Sequence, residues 1–156
     1  MITASLNPHL TFNGDCEAAF NFYKSVFGGE FASFLRYGVT ASFQDIPGAE
    51  KERVMHVSLR LTEHVCLGGC DAPLSDPPAQ SGDNISLLLS FADDAETRRV
   101  HDALSAGGAI RIPLEKTFFA SLYGTFTDAF GINWGLISTA PFNCPITGEP
   151  MKGAGQ

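Results

Sequence analysis

The chain has 156 residues, 44% of them hydrophobic, and 17 acidic against 10 basic residues give a net charge of -7. That length suits one compact domain or two small halves sharing a core, and the absence of a Lys/Arg stripe excludes nucleic acid and anionic membrane as expected partners. No run approaches the roughly 20 apolar residues that cross a bilayer, and Met1 to Leu6 lacks the features of a signal peptide, so a cytoplasmic setting is expected.

In chain order, Leu10 and Phe12 alternate with His9 and Thr11, which predicts a strand over Pro8 to Phe12 with the apolar pair facing a core. Asp15 is placed to cap a helix from Cys16 to Phe27, whose stripe runs through Ala18, Phe22 and Val26 beside Ala19, Tyr23 and Phe27. Gly28-Gly29 ends it, and Glu30 to Tyr37 reads as a second strand. Gly38 to Glu52, rich in Gly, Pro and acidic residues, reads as a lid-like loop. Val54 to Leu61 alternates Val57, Leu59 and Leu61 against His56, Ser58 and Arg60, and Val65 to Cys70 follows a turn at Thr62-Glu63-His64.

Asp71 to Asp83 contains Pro73, Pro77 and Pro78 and reads as a linker. The pattern then returns: a strand from Ile85 to Phe91, Asp93-Asp94, a helix from Ala95 to Ala106, and Gly107-Gly108. The last phenylalanine of the strand stands at the same distance from the first glycine in both copies, Phe12 to Gly28 and Phe91 to Gly107. Strands over Ala109 to Ile112, Tyr123 to Thr127 and Ile132 to Ser138 complete the second copy. The expected organisation is a first βαβββ module over 1–71, a linker over 72–83, a second module over 84–139 and a flexible tail over 140–156. Such a chain is of α+β class, its two βαβββ modules forming a half-open barrel lined by Thr11, His56, Ser58, Arg60 and Ser86.

Four cysteines (Cys16, Cys66, Cys70, Cys144) in a chain of this length do not form a disulfide scaffold, and Cys66 and Cys70, four apart on one strand without a second Cys/His pair, read as packing residues. His9 and His56 fall on strand faces opposite the apolar ones and are the candidate catalytic or polar-ligand groups, because a neutral imidazole accepts a proton near pH 7. The competing assignment is a hydrogen-bonded structural histidine. Thr11, Ser58, Arg60 and Ser86 are the candidate ligand-binding residues, with Trp134 either filling the core or walling the site. Asp71 and Glu115 are the carboxylates nearest the predicted opening. No phosphate-binding or dinucleotide-type glycine turn opens a helix, which argues against methyl transfer from a nucleotide-like donor.

The run Pro8-His9-Leu10-Thr11-Phe12-Asn13-Gly14 with Cys16-Glu17-Ala18-Ala19 and Phe22-Tyr23, the later Val54-Met55-His56, Pro113-Leu114-Glu115-Lys116-Thr117-Phe118, Tyr123-Gly124, Thr127-Asp128, Phe130-Gly131 and Trp134 together resemble the vicinal-oxygen-chelate superfamily of glyoxalases, bleomycin-resistance proteins and extradiol dioxygenases. Within it they resemble the PhnB-like group, often labelled 3-demethylubiquinone-9 3-methyltransferase. The resemblance implies a homodimer and, in metal-binding relatives, a divalent ion held from the first and last strands of each repeat. Those positions fall here near Asn7, Ser86 and Gly135, and Gly135 has no side chain to offer. No cofactor and no metal site are therefore expected, and the leading reading is a protein that binds an unidentified small molecule. The alternatives are a metal-dependent lyase, isomerase or dioxygenase with ligands redrawn from His9, His56 and Asp71, or a drug-sequestering resistance protein.

Overall fold

The computed structural model describes residues 6–39 and 45–140. These fall into two compact units, within Met1–Gln80 and Ser81–Gln156. The first contains β1 (His9–Phe12), α1 (Cys16–Phe27), β2 (Glu30–Arg36), a 3-10 turn (Tyr37–Val39), the short α2 (Gly48–Lys51), β3 (Val54–Arg60) and β4 (Cys66–Asp71). The second contains β5 (Leu87–Phe91), α3 (Asp94–Ser105), β6 (Ala109–Glu115), β7 (Leu122–Thr127) and β8 (Asn133–Ser138). The two sheets have the same order, β1-β4-β3-β2 and β5-β8-β7-β6, with the first strand of each lying parallel to the last. The predicted pair of βαβββ modules is thus what the chain builds. Part of the predicted lid and the predicted tail lie outside the described residues, as does Cys144.

In the first unit, α1 covers the sheet face formed by Phe12, Val57, Leu59 and Leu67, all buried. The buried stripe of α1 is Cys16, Ala19, Phe20, Tyr23 and Val26. The helix is rotated from the predicted stripe, with Phe20 rather than Phe22 at its centre. The reason is on the sheet: Gly69 leaves a slot in β4 that the Phe20 ring fills so closely that a Cβ at Gly69 would collide with it. Phe12 and Tyr23 then meet Phe20 edge-on, at 6.2 and 5.7 Å between ring centroids, the geometry aromatic pairs favour. At the far end of the helix, Gly29 has a φ of 79° and lies so close to the Arg60 carbonyl that no side chain fits.

Asp15 makes no side-chain cap on α1. Its predicted role is taken by Asp71, 1% exposed, at the end of β4. One Asp71 oxygen accepts from the amides of Gly14 and Cys16 at 2.8 and 3.1 Å, and the other accepts from the Val54 amide at 2.9 Å. A carboxylate at the opening of a helix also complements the positive end of the helix dipole. Asp71 therefore joins the turn before α1, the helix itself and the start of β3.

In the second unit, Trp134, Leu136, Phe126, Val100 and Leu104 are buried between α3 and the sheet. Asp128 performs the joining role here: its oxygens accept from the amides of Phe130 and Ile132, each at 2.9 Å, and from the Trp134 indole at 2.8 Å. Asp93 caps α3 through the Glu96 amide at 2.8 Å. Hydroxyls of Ser121 and Ser138 hold the Asp94 carboxyl below the ordinary carboxylate range. The sixth strand runs past the predicted Ile112 to Glu115 and so includes Pro113. That is permitted because β6 is the edge of its sheet and its register shifts between Ile112 and Glu115, so no ladder bond is lost at the proline.

Two stability predictions follow from these contacts. Asp71→Ala strands the two buried amides of Cys16 and Val54, leaves the Gly14 amide without its acceptor and removes charge-assisted bonds, so urea unfolding is expected to show a loss of about 3 kcal/mol or more, and a loss below about 1 kcal/mol would contradict the joining role. The Cys16 thiol is pushed well above its ordinary value of 9.0 by burial and then by the nearby Asp71 charge. Because the folded value is the higher one, this contribution is complete below pH 9.0 and is lost above it, as the unfolded thiol ionises and the folded one does not. Stability is expected to fall by up to about 1.4 kcal/mol per pH unit there, and Cys16→Ala to reduce that slope.

Candidate functional site

Alternation along β1, β3 and β4 sends one set of side chains to α1 and the other to the opposite face of the first sheet. His9, Thr11, His56, Ser58, Arg60, Cys66 and Cys70 all belong to the second set. The register confirms it: Thr11 stands opposite Cys70, Gly68 is shared between His9 and Ser58, and Arg60 stands opposite Cys66. Five of the sequence-selected residues therefore occupy one face of one sheet. Ser86 is exposed in the second unit, just ahead of β5.

His9 and His56 sit on strands separated by β4, a backbone distance of two strand spacings of about 4.8 Å each. Their rings nevertheless stack, with centroids 6.2 Å apart and planes 22° apart. Gly68 makes the approach possible, since a Cβ there would stand 3.2 Å from His9 Cδ2. His9 is exposed and His56 half-buried, so the pair is reachable from solvent within this unit. The Thr11 hydroxyl is 3.9 Å from the Cys70 sulfur. Arg60 is exposed at the end of the row, where its cross-strand neighbour Glu30 is bonded to Lys24 of α1 at 2.9 Å. The face offers imidazole, hydroxyl, thiol and guanidinium groups and no unengaged carboxylate among the described residues of β1, β3 and β4.

Three sequence expectations change. Trp134 is 1% exposed with its indole N–H given to Asp128, so it is a core residue and not a wall of a ligand site. Asp71 cannot join His9 and His56 in a redrawn metal set, because both its oxygens are taken by backbone amides and it lies on the α1 side of the sheet with Phe12, its register partner. Cys66 and Cys70 are not core packing residues. Both are half-buried on the polar face, as period-two alternation from the buried Leu67 and Gly69 would have indicated.

The divalent ion implied by the family resemblance does not fit the residues present. Asn7 and Ser86 are exposed amide and hydroxyl groups, and Gly135 in β8 has no donor. A Cβ at Gly135 would stand 3.0 Å from Cδ1 of the exposed Leu88, so a side chain there would have to turn that leucine aside. Among the described residues no three His, Cys, Asp or Glu side chains converge on a point that could hold an ion. The pair Leu88 and Gly135 on β5 and β8 is the topological counterpart of His9 and Gly68 on β1 and β4. In each unit a first-strand side chain lies over a last-strand glycine.

A model of the family described as 3-demethylubiquinone-9 3-methyltransferase matches residues 4–137. The chain belongs to that family. It is 27% identical over 140 residues to Protein YjdN of Escherichia coli (strain K12), covering 83% of this chain and 91% of that protein. Among solved structures it resembles protein PA1353 from Pseudomonas aeruginosa, at 31% identity, a TM-score of 0.78, and coverage of 87% of this chain and 98% of that one. It also resembles a putative 3-demethylubiquinone-9 3-methyltransferase, PhnB protein, from Bacillus cereus, at 27% identity, a TM-score of 0.71, and coverage of 86% and 99%. A glyoxalase/bleomycin resistance protein/dioxygenase domain from Frankia sp. EAN1pec, 12% identical with a TM-score of 0.62 over 88% of this chain and 93% of that one, shares the fold. The chain is therefore a PhnB-like protein with a glyoxalase/bleomycin-resistance-like fold.

The packing of Leu88 over Gly135 generates a prediction. Gly135→Glu places a carboxylate on the final strand by turning aside the exposed Leu88, so it is expected to cost less than about 1 kcal/mol of stability and, because Asn7 and Ser86 are poor partners, to give no rise in melting temperature with Mn, Ni or Zn ions. A metal-dependent rise in the variant would show that the neighbouring residues can complete a metal site.

Proposed function

We propose that this protein binds a small organic molecule carrying carbonyl or carboxylate oxygens on the polar face of its first sheet, without a resident metal ion. The observation that supports the reading most is the stacking of His9 on His56 across Gly68. Two imidazoles presented together on a rigid sheet, beside the hydroxyls of Thr11 and Ser58 and the guanidinium of Arg60, supply donors of the kind that fix oxygen acceptors. Imidazole also accepts a proton near neutral pH, so the same pair suits proton transfer next to a carbonyl. A cation-sequestering role is less well supported, because the acidic groups that give the chain its charge are not gathered on this face.

Methyl transfer, the activity in the family's descriptive name, has little support from the local geometry. A nucleotide-like donor is usually held at a free helix N-terminus, and here the amides opening α1 face the Asp71 carboxylate while the start of α3 is capped by Asp93. A homodimer in the cytoplasm is the setting in which this reading places the chain.

A thermal-shift screen of small carbonyl and carboxylate compounds tests the proposal, followed by NMR of the histidine ring protons. A true ligand is expected to move the His9 and His56 signals, and His9→Ala or His56→Ala to weaken its binding about tenfold. Binding that leaves both signals in place and both variants unaffected would refute the assignment of this face.

A further inference from the structure

The turn before α1, the end of β2 and the segment that leads from α2 into β3 border an open cavity of about 490 Å³ in the first unit. Its polar lining is Gly14, Glu17, Arg36, Glu52, Arg53 and Asp71, and no residue of the His9 and His56 face reaches it. Most of these charges are already committed. Arg36 Nη2 donates to both Glu17 oxygens at 2.7 and 2.8 Å, and Asp71 serves the amides of Gly14, Cys16 and Val54. Glu52 and Arg53 are different: they are adjacent in sequence and line the same cavity, yet neither forms an ion pair with the other or with any other described residue. Both are held in place. Arg36 Nη1 donates to the Glu52 carbonyl at 2.5 Å, and the Arg53 carbonyl accepts from the Tyr37 amide at 3.1 Å. The half-buried Arg53 guanidinium donates through Nη1 and Nη2 to the carbonyls of Ala72 and Asn13, at 2.6 and 2.8 Å. Gly14, with a φ of 121°, makes room for it, since a Cβ there would stand 3.2 Å from Nη2.

We propose that this cavity is a second binding site, separate from the polar face of the first sheet, and that it takes a small zwitterion of the α-amino acid class, with the carboxylate on Arg53 and the ammonium on Glu52. A partly desolvated guanidinium whose only acceptors are neutral carbonyls keeps its full charge and further N–H groups for a carboxylate, and the planar fork matches carboxylate geometry. The balance of charge selects against simpler ligands. Three acids against two arginines oppose a bare anion, and two guanidinium groups oppose a bare cation. A zwitterion adds no net charge and meets one uncommitted group with each of its ends. The volume falls within the roughly 300–1,000 Å³ of small-molecule sites, and the apolar lining is confined to Ala49 and Val54, which suits a ligand with a short hydrocarbon side chain. Because the Arg53 fork is positioned before the ligand arrives, little of the binding energy is spent on ordering it.

The test is calorimetric titration of the full-length protein with L-alanine, propionate and ethylamine, the last two each carrying one half of the zwitterion. L-Alanine is expected to bind about tenfold or more tighter than either half. Glu52→Gln changes an exposed side chain that has no partner in the fold, and it is expected to weaken L-alanine about tenfold while leaving propionate unchanged. Arg53→Gln is expected to abolish the binding of both, in a variant whose melting curve establishes that it is folded. No binding of L-alanine up to about 10 mM, propionate bound as tightly as L-alanine, or an L-alanine affinity indifferent to Glu52→Gln would overturn the proposal. The two sites are told apart by the histidine ring signals: L-alanine bound in this cavity leaves those of His9 and His56 in place, whereas L-alanine that moves them and binds Glu52→Gln as well as the parent protein occupies the sheet face instead and refutes the cavity assignment alone.

Discussion

A buried carboxylate bonded to backbone from three separate segments is the constraint from which the first unit is assembled. Asp71 takes amides from the turn before α1, from the first turn of α1 and from the start of β3. Removing so many donors from water is tolerable only when each finds an acceptor, and a single charged group that serves all three fixes their relative positions. Tyr37 adds its hydroxyl to the Asp71 carbonyl at 3.1 Å, tying in the end of β2. With the helix start and the strand ends set, β1 and β3 are held at a constant offset on either side of β4. That offset is what allows His9 and His56 to meet.

The second unit reaches the same topology with other chemistry. At the position in β8 that matches Asp71, it carries Ser138, which is buried and paired in register with Phe91. At the start of its helix stands Asp94, which accepts from the Ser121 hydroxyl at 2.6 Å. Asp128 organises the β7 to β8 turn and orients Trp134. The strand end thus carries an acid in one unit and a hydroxyl in the other, while an acid, Asp15 or Asp94, stands at the start of the helix in both.

Much of this was legible in the sequence, because it rests on periodicity. The alternation of His9, Thr11, His56, Ser58 and Arg60 with apolar residues placed them on one face, and the recurring phenylalanine-to-glycine interval exposed the doubled architecture. What was not legible depends on contacts between distant residues. Asp15 has the right local position for a cap, yet the acceptor comes from Asp71, more than fifty positions away. Phe20 outranks Phe22 only because a glycine on β4 leaves a slot beneath it, and a glycine slot has no signature along the helix. The predicted strand from Ala109 to Ile112 stopped short of Glu115 because a proline is accommodated only where the strand is an edge, and edge position is set by the sheet order. Cys70 shared the alternation of its neighbours but was grouped with the core, since cysteine as a residue type is usually buried.

The recurrence of a bare last-strand residue beneath a first-strand side chain bears on how such a scaffold acquires new chemistry. The parallel backbones of β1 with β4 and of β5 with β8 form a socket of fixed shape, one filled by imidazole and the other by a leucine hydrocarbon. The occupant of each is one side chain of the first strand, and the glycine beneath it has none to oppose it. Surfaces of opposite polarity can then arise on two copies of one framework, and descendants can trade one repertoire for another while the load of folding stays with residues on the far side of each sheet.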